Sequence, residues 1–219
     1  MDGAVIFDVD GVLLDLTEAE EDAFFLPFAR RYGLTGLSRD WDSYRIRNDE
    51  HIIAELLARH GFPAEDHALI VADYLDILSQ GLSSGTLTAV DIPGARQLLA
   101  SLAGCRTGIA TANLLAAARL RLAARDLWQP VCALAFGAEG SGHKRETVAR
   151  AIAATGLPKQ RIVYIGDNLN DVEAGLSNGV HLIGFSESAA RRDRLAAAGA
   201  RHLSGDHATT LRLVRALLT

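Results

Sequence analysis

The sequence predicts an α/β fold: a doubly wound, mostly parallel sheet interrupted by a helical insert. Three observations predict it. Short apolar runs at residues 4–8, 107–111, 131–136, 162–166 and 180–184 have the length and composition of buried strands. Helical patterns ending at glycine alternate with the later runs, the signature of a sheet covered on both faces. About a hundred residues separate the first run from the second. They carry helical spacing, which a structureless loop of that length would not.

Taken in chain order, the first run, AVIFD, closes on Asp8, Asp10 and Gly11. Side chains two apart on an extended segment share a face, so both carboxylates leave a core strand toward one spot. Residues 17–32, 49–60 and 65–80 then show apolar positions at helical spacing, broken at Gly33, Gly61 and Gly81. Pro93-Gly94 opens a further helix over 95–103 before the second strand. After that strand, residues 113–125 are rich in Ala, Leu and Arg. Residues 145–155 stop at Gly156 with Pro158 just beyond, 169–178 at Gly179, and 188–198 at Gly199. The expected organisation is an α/β core of residues 1–15 and 87–219 with a helical domain, 16–86, inserted between them. The connections fall near residues 14–17 and 82–88.

Bulk composition narrows the function classes. The 219 residues are 49% hydrophobic and 22% charged, ordinary for a globular chain. A net charge of -5 argues against nonspecific binding to nucleic acid or to an anionic membrane. No apolar run approaches the ~20 residues that span a bilayer. Met1 leads almost directly into a strand, so the expected location is cytoplasmic, without a signal peptide. Cys105 and Cys132 form neither a disulfide framework nor a metal motif and read as two buried thiols. Lys144 and Lys159 are the only lysines among 22 basic side chains. A compact, mobile point charge is therefore kept at two places in a chain that otherwise uses planar guanidinium groups.

Ligands of doubly wound sheets bind beyond the carboxyl ends of the strands. That edge carries Asp8 and Asp10 after the first strand, and Thr111 then Asn113 after the second. Lys144 follows the third, in GAEGSGHK, and Asp167 and Asp171 follow the fourth, in GDNLND. Each has a plain reading alone: a solvated acidic turn, an N-cap hydroxyl, a surface lysine, an Asp-capped helix. Their conjunction at four consecutive strand ends does not. Hard oxygens from Asp8, Asp167 and Asp171 suit Mg²⁺. Thr111, Lys144 and the backbone N–H groups after Asp8 suit a phosphate. With that charge neutralised an aspartate can attack phosphorus, and a second carboxylate two residues away can move the leaving-group proton.

On these motifs the chain resembles the haloacid dehalogenase (HAD) superfamily in its phosphatase branch. DVDGV, the Thr of GIAT, the Lys of GHK and GDNLND match that family's four motifs over residues 1–14 and 87–219. The resemblance implies that Asp8 is nucleophile and magnesium ligand. It implies that Asp10 is general acid/base, with its backbone carbonyl also on the metal. Thr111 and Lys144, with Asn113 beside them, would hold the phosphoryl group. Asp167 would ligate Mg²⁺, with Asp171 in its first or second shell. The helical insert is similar to the family's first cap type. Leu16 stands where relatives such as phosphoglycolate phosphatase often have Ser, and Arg145-Glu146-Thr147 follows Lys144 in place of their Pro-containing loop.

The expected function is Mg²⁺-dependent hydrolysis of a small phosphorylated metabolite by a monomer or homodimer. The alternatives are a phosphomutase or other phosphoryl transferase of the same superfamily, or a catalytically silent binding domain. Phosphonatase and phosphomutase relatives commonly use a cap lysine, and residues 16–86 contain none. Within SYRIRNDEH, Asn48 or Asp49 is the expected N-cap of the following helix. Arg45 and Arg47 then sit on a cap loop where a guanidinium could meet a carboxylate or second phosphate of the substrate. His51 and His60 read as surface or half-buried. His143, beside Lys144, is within possible reach of the site. The run Arg191–Arg194 reads as facing solvent or a partner subunit.

Overall fold

The computed structural model describes residues 2–219; Met1, where the predicted core begins, lies outside them. The elements are, in order, β1 (Ala4–Phe7), β2 (Leu14–Asp15), α1 (Glu18–Tyr32), α2 (Asp49–Arg59), α3 (His67–Ser84), β3 (Val90–Asp91), α4 (Ala95–Ser101), β4 (Arg106–Ala110) and α5 (Leu115–Ala123). They continue with β5 (Ala135–Phe136), α6 (Lys144–Thr155), β6 (Ile162–Gly166), α7 (Leu169–Asn178), β7 (His181–Phe185), α8 (Ala189–Ala197), β8 (His202–Ser204) and α9 (His207–Leu217).

Six strands form one parallel sheet in the order β5-β4-β1-β6-β7-β8. All four residues of β1 are fully buried, and the two-residue period divides them. Val5 and Phe7 join Ile109, Ile165 and Val214 on one face of the sheet. Ala4 and Ile6 join Tyr164, Val148 and Val172 on the other. Strand order reverses direction at β1, which places the crevice of a doubly wound sheet at its carboxyl end. The register is level there: Phe7 pairs with Ile109 on one side and Ile165 on the other. Asp8, Thr111 and Asp167 therefore emerge together.

The insert folds around its own apolar cluster, in which Phe24, Phe28, Ile53 and Leu78 pack together with Leu114 and Ala117 from the start of α5. Thr17 caps α1 in a reciprocal capping box with Glu20. Asn48 caps α2, its side chain accepting from the His51 N–H at 2.8 Å. At the junction, β2 and β3 pair antiparallel, Leu14 with Asp91 and Asp15 with Val90.

Several predicted boundaries move. Residues 131–134 are not strand: Cys132–Leu134 is a 3₁₀ turn, and only Ala135–Phe136 pairs with β4. Gly81 does not stop its helix. α3 continues to Ser84 and ends at Gly85, whose φ of 75° suits glycine. Gly81 is instead a packing glycine, since a Cβ there would lie 2.5 Å from Leu87. The β2–β3 pair, β8 and α9 have no counterpart among the predicted elements. Nor are both thiols buried: Cys105 is half-buried, and Cys132, in the 3₁₀ turn, is exposed.

Candidate active site

Asp8 follows β1 directly, and its N–H donates to the Ile165 carbonyl at 2.8 Å, which fixes it between β1 and β6. Its Oδ1 accepts from the Val9 N–H at 2.7 Å and from Lys144 Nζ at 2.7 Å. Among the described residues no protein donor takes Oδ2. Burial pushes the Asp8 carboxyl well above its ordinary range; Lys144 opposes the shift, and Asp171 and Asp167 add to it. Gly11 turns the chain at φ 72°, and a Cβ there would come within 2.3 Å of Asp167 Oδ2. Close approach of this loop to Asp167 thus requires glycine.

Lys144 opens α6 with its side chain 3% exposed. Burial alone would lower its pKa, but Asp171 at 3.0 Å and Asp8 outweigh burial and hold the ammonium above its usual range. Asp167 is pushed up to about 7 by burial and by Asp171. Asp171 is fully buried. Its Oδ1 meets Lys144 and accepts from the Tyr164 hydroxyl at 2.6 Å, and its Oδ2 accepts from the N–H groups of Asp167 and Asn168. Oxygens of Asp8, Asp167 and Asp171 lie within 4.8 Å of one another.

Thr111 is buried at the end of β4, its N–H held by the Phe136 carbonyl at 3.0 Å. Its hydroxyl donates to Asn113 Oδ1 at 3.0 Å and accepts from the Asn113 N–H at 3.2 Å. Thr111 does not cap α5, which starts at Leu115. Instead the free N–H groups of that helix start are taken by Asp49 Oδ2, on Leu114 at 2.8 Å, and by Glu139 Oε1, on Leu115 at 2.7 Å. Asp49 belongs to α2, so the insert caps a core helix. Burial raises its pKa to about 7 against the Leu114 hydrogen bond.

Asp8, Asp10, Asp49, Thr111, Asn113, Lys144 and Asp167 open into a cavity of about 280 Å³ between the sheet edge and the insert, with Asp171 buried behind them. Arg47 lines it, ion-paired with Asp42 at 2.8 Å. Arg45 is exposed and does not line it; its backbone N–H donates to Glu55. His143 is exposed at the start of α6 and is likewise absent from the lining. The run Arg191–Arg194 is largely exposed, as expected, but Arg191 also lines the cavity, with Nη1 3.8 Å from Asp167 Oδ2.

Arg121 also lines the cavity and is not among the site residues expected from the sequence. This α5 side chain is 2% exposed, with Nε donating to Glu20 Oε1 at 2.7 Å and Nη2 to the Asp15 carbonyl at 3.2 Å. Its Nη1 lies 2.7 Å from Asp10 Oδ1 as an ion pair, although the angle is not that of an aligned hydrogen bond. Burial opposes the charge, but Asp10 and Glu20 prevail and hold the guanidinium cationic. The signal was present in the sequence: Arg121 falls at helical spacing from Ala117 and Ala118, on the apolar stripe of α5.

The sequence profile of haloacid dehalogenase-like hydrolases matches residues 3–179. The chain belongs to that family and is a hydrolase of the HAD class. Among solved structures it is similar to CbbY from Rhodobacter sphaeroides, solved in complex with phosphate. That pair shows 23% identity and a TM-score of 0.74, with 95% of this chain and 96% of that chain covered. A predicted phosphatase from Clostridium acetobutylicum gives 20% identity and a TM-score of 0.71, with 98% of each chain covered. A protein provisionally assigned as a β-phosphoglucomutase from Bacteroides vulgatus gives 20% and 0.72, covering 99% of this chain and 90% of that one. At these identities the likeness shows the fold. Among curated proteins no sequence match is found. No helix among the described residues is long and apolar enough to cross a membrane.

Proposed function

We propose that the protein is a Mg²⁺-dependent phosphatase that hydrolyses a small phosphomonoester through an aspartyl-phosphate on Asp8, with residues 16–86 as its cap. The observation that carries this reading is Asp8 itself. One carboxylate oxygen is clamped by Lys144 and the Val9 N–H, and the other has no donor among the described residues. A carboxylate fixed at one oxygen can present the other for in-line attack.

The donor set fits magnesium. Asp8, Asp10, Asp167 and Asp171 crowd negative charge at one sheet edge, and burial and mutual repulsion show in the raised pKa values of Asp8 and Asp167. All are hard oxygen donors of the kind the ion prefers. Asp8, Asp167 and the Asp10 carbonyl would hold it. Both oxygens of Asp171 are already taken by Lys144, Tyr164 and two backbone N–H groups, so Asp171 orients Lys144 and the loop from behind. The bound ion would neutralise phosphate charge and so admit an anionic nucleophile.

In the first step an Asp8 oxygen bonds to phosphorus as the bond from phosphorus to the leaving oxygen breaks, and Asp10 gives that oxygen a proton. In the second, Asp10 takes a proton from water as the water oxygen bonds to phosphorus, and the acyl-phosphate P–O bond breaks to return Asp8. Lys144, Thr111 and the Asn113 turn hold the phosphoryl oxygens throughout. The cap excludes bulk water and contacts the leaving group.

Arg47 in the cavity lining supports a small anionic substrate, phosphoglycolate-like, whose second anion meets a cap guanidinium. Phosphate release from a panel of phosphorylated metabolites, with Mg²⁺ and after chelation, tests this function. Turnover of at least one phosphomonoester that chelation abolishes is expected. Uniform inactivity of the magnesium-loaded protein would contradict it.

A further inference from the structure

We infer that Arg121 is a positioning residue that sets Asp10 for proton transfer, and that it is itself set by the first turn of the insert. This rests on the acid/base role proposed above for Asp10. The Asp10 Oδ1 atom is buried, and no aligned hydrogen bond reaches it among the described residues. The nearby countercharge is Arg121 Nη1 at 2.7 Å. A carboxylate without aligned donors has no fixed torsion of its own, so its direction depends on where that guanidinium stands.

Arg121 is fixed on its other edges. Nε donates to Glu20 Oε1, and Nη2 donates to the carbonyl of Asp15 in β2. Glu20 is fixed in turn, because its Oε2 accepts the Thr17 N–H and hydroxyl in the α1 capping box. The chain of contacts runs from the cap-helix start, through one planar fork, to the carboxylate two residues past Asp8. A guanidinium can hold three partners in one plane, which an ammonium cannot. A sequence that needed only to bury an apolar helix stripe would not place Arg between Ala118 and Leu122.

The test separates positioning from bulk stability by leaving group. An alkyl phosphate such as propyl phosphate needs its leaving oxygen protonated, whereas p-nitrophenyl phosphate expels a stable anion without help. The reported quantity is kcat/KM, which covers events through phosphoryl transfer to Asp8. Arg121→Met is expected to lose on the order of a hundredfold on propyl phosphate and less than about threefold on p-nitrophenyl phosphate. Asp10→Asn in the same assay should show the same selectivity.

Arg121→Met strands Glu20, so Arg121→Met/Glu20→Gln is measured beside it, with folding followed by circular dichroism. It removes the stranded charge but still leaves Asp10 unheld, and it should keep the leaving-group-selective loss. If the double variant recovers alkyl phosphate turnover, Arg121 serves only to neutralise Glu20 and the inference is overturned. Equal losses on both substrates overturn it as well. A selective loss in Asp10→Asn with a flat profile in Arg121→Met sinks this inference alone. A flat profile in Asp10→Asn sinks the proton-transfer reading, and this inference with it.

Discussion

Lys144 Nζ stands 2.7 Å from Asp8 Oδ1 in a pocket where the two side chains are 3% and 9% exposed. The same nitrogen reaches Asp171 at 3.0 Å. One point charge at the start of α6 thus joins the end of β1 to the first turn of α7. A buried ion pair of this kind is weak evidence for stability, since desolvation offsets most of the attraction. Its placement at the crevice of the sheet makes it a device for holding a carboxylate ready.

Replacing Lys144 by Arg should therefore damage function despite conserving charge. The guanidinium is larger and planar and cannot sit between Asp8 and Asp171 as the ammonium does. Loss of a charge-assisted contact costs ~1.5–3 kcal/mol, roughly ten- to a hundredfold in kcat/KM. Phosphate-release kinetics check this, and near-normal turnover would mean that charge alone suffices there.

Magnesium should stabilise the protein as well as activate it. Ligand that binds only the folded state raises Tm with its concentration. The rise expected in thermal melts with added Mg²⁺ should shrink strongly in Asp167→Asn. Ca²⁺ should inhibit turnover, because its larger and looser coordination sphere does not hold octahedral geometry. An unchanged melt in the presence of Mg²⁺, with activity surviving exhaustive chelation, would remove the ion from the account.

Asp49 ties folding stability to pH. Its folded pKa of about 7 lies above the ordinary carboxylate value of 3.8. Between those two values the unfolded chain gives up the proton while the folded chain keeps it, so stability falls as pH rises from about 4 to about 7. Above that window the loss is complete. Asp49→Asn keeps an oxygen for the Leu114 N–H but does not titrate. Denaturant melts at pH 5 and pH 8 should differ less in that variant than in the parent. An identical difference in both would assign the pH dependence to other groups.

Arg47, which lines the cavity, is expected to set selectivity. Arg47→Ala should lower kcat/KM roughly ten- to a hundredfold for an anionic substrate such as phosphoglycolate and little for a neutral aryl phosphate. Equal effects on both, or none, would leave Arg47 a partner of Asp42 alone.

The core of the site was legible because its residues break the burial rules of the elements that carry them. Carboxylates at the ends of apolar strands, and a rare lysine at a helix start, stand out against their surroundings. Strands β1, β4, β6 and β7 were legible for the same reason, as short apolar runs between glycines. Arg121 and Asp49 were not. Their partners lie 101 and 65 positions away, across the seam between insert and core, so a cation on the apolar stripe of α5 and an acid at the start of α2 show in sequence no sign of what they meet. Arg191 was hidden in a basic run on a polar helix. The two-residue strands β2 and β3 and the three-residue β8 are too short to show a period, and β5 is an edge pairing of two residues beside a 3₁₀ turn.

Asp8 is expected to become phosphorylated during turnover. Asp10→Asn should slow the second step, so the acyl-phosphate should accumulate with p-nitrophenyl phosphate, whose leaving group needs no proton. Acid quenching followed by mass spectrometry of the peptide holding Asp8 reads this directly. One phosphoryl group is expected on Asp8, removable by hydroxylamine and absent from Asp8→Asn, which should also be inactive while its metal-free Tm is unchanged or higher. Phosphoryl transfer to another residue, or turnover by Asp8→Asn above a few per cent of the parent, would contradict it.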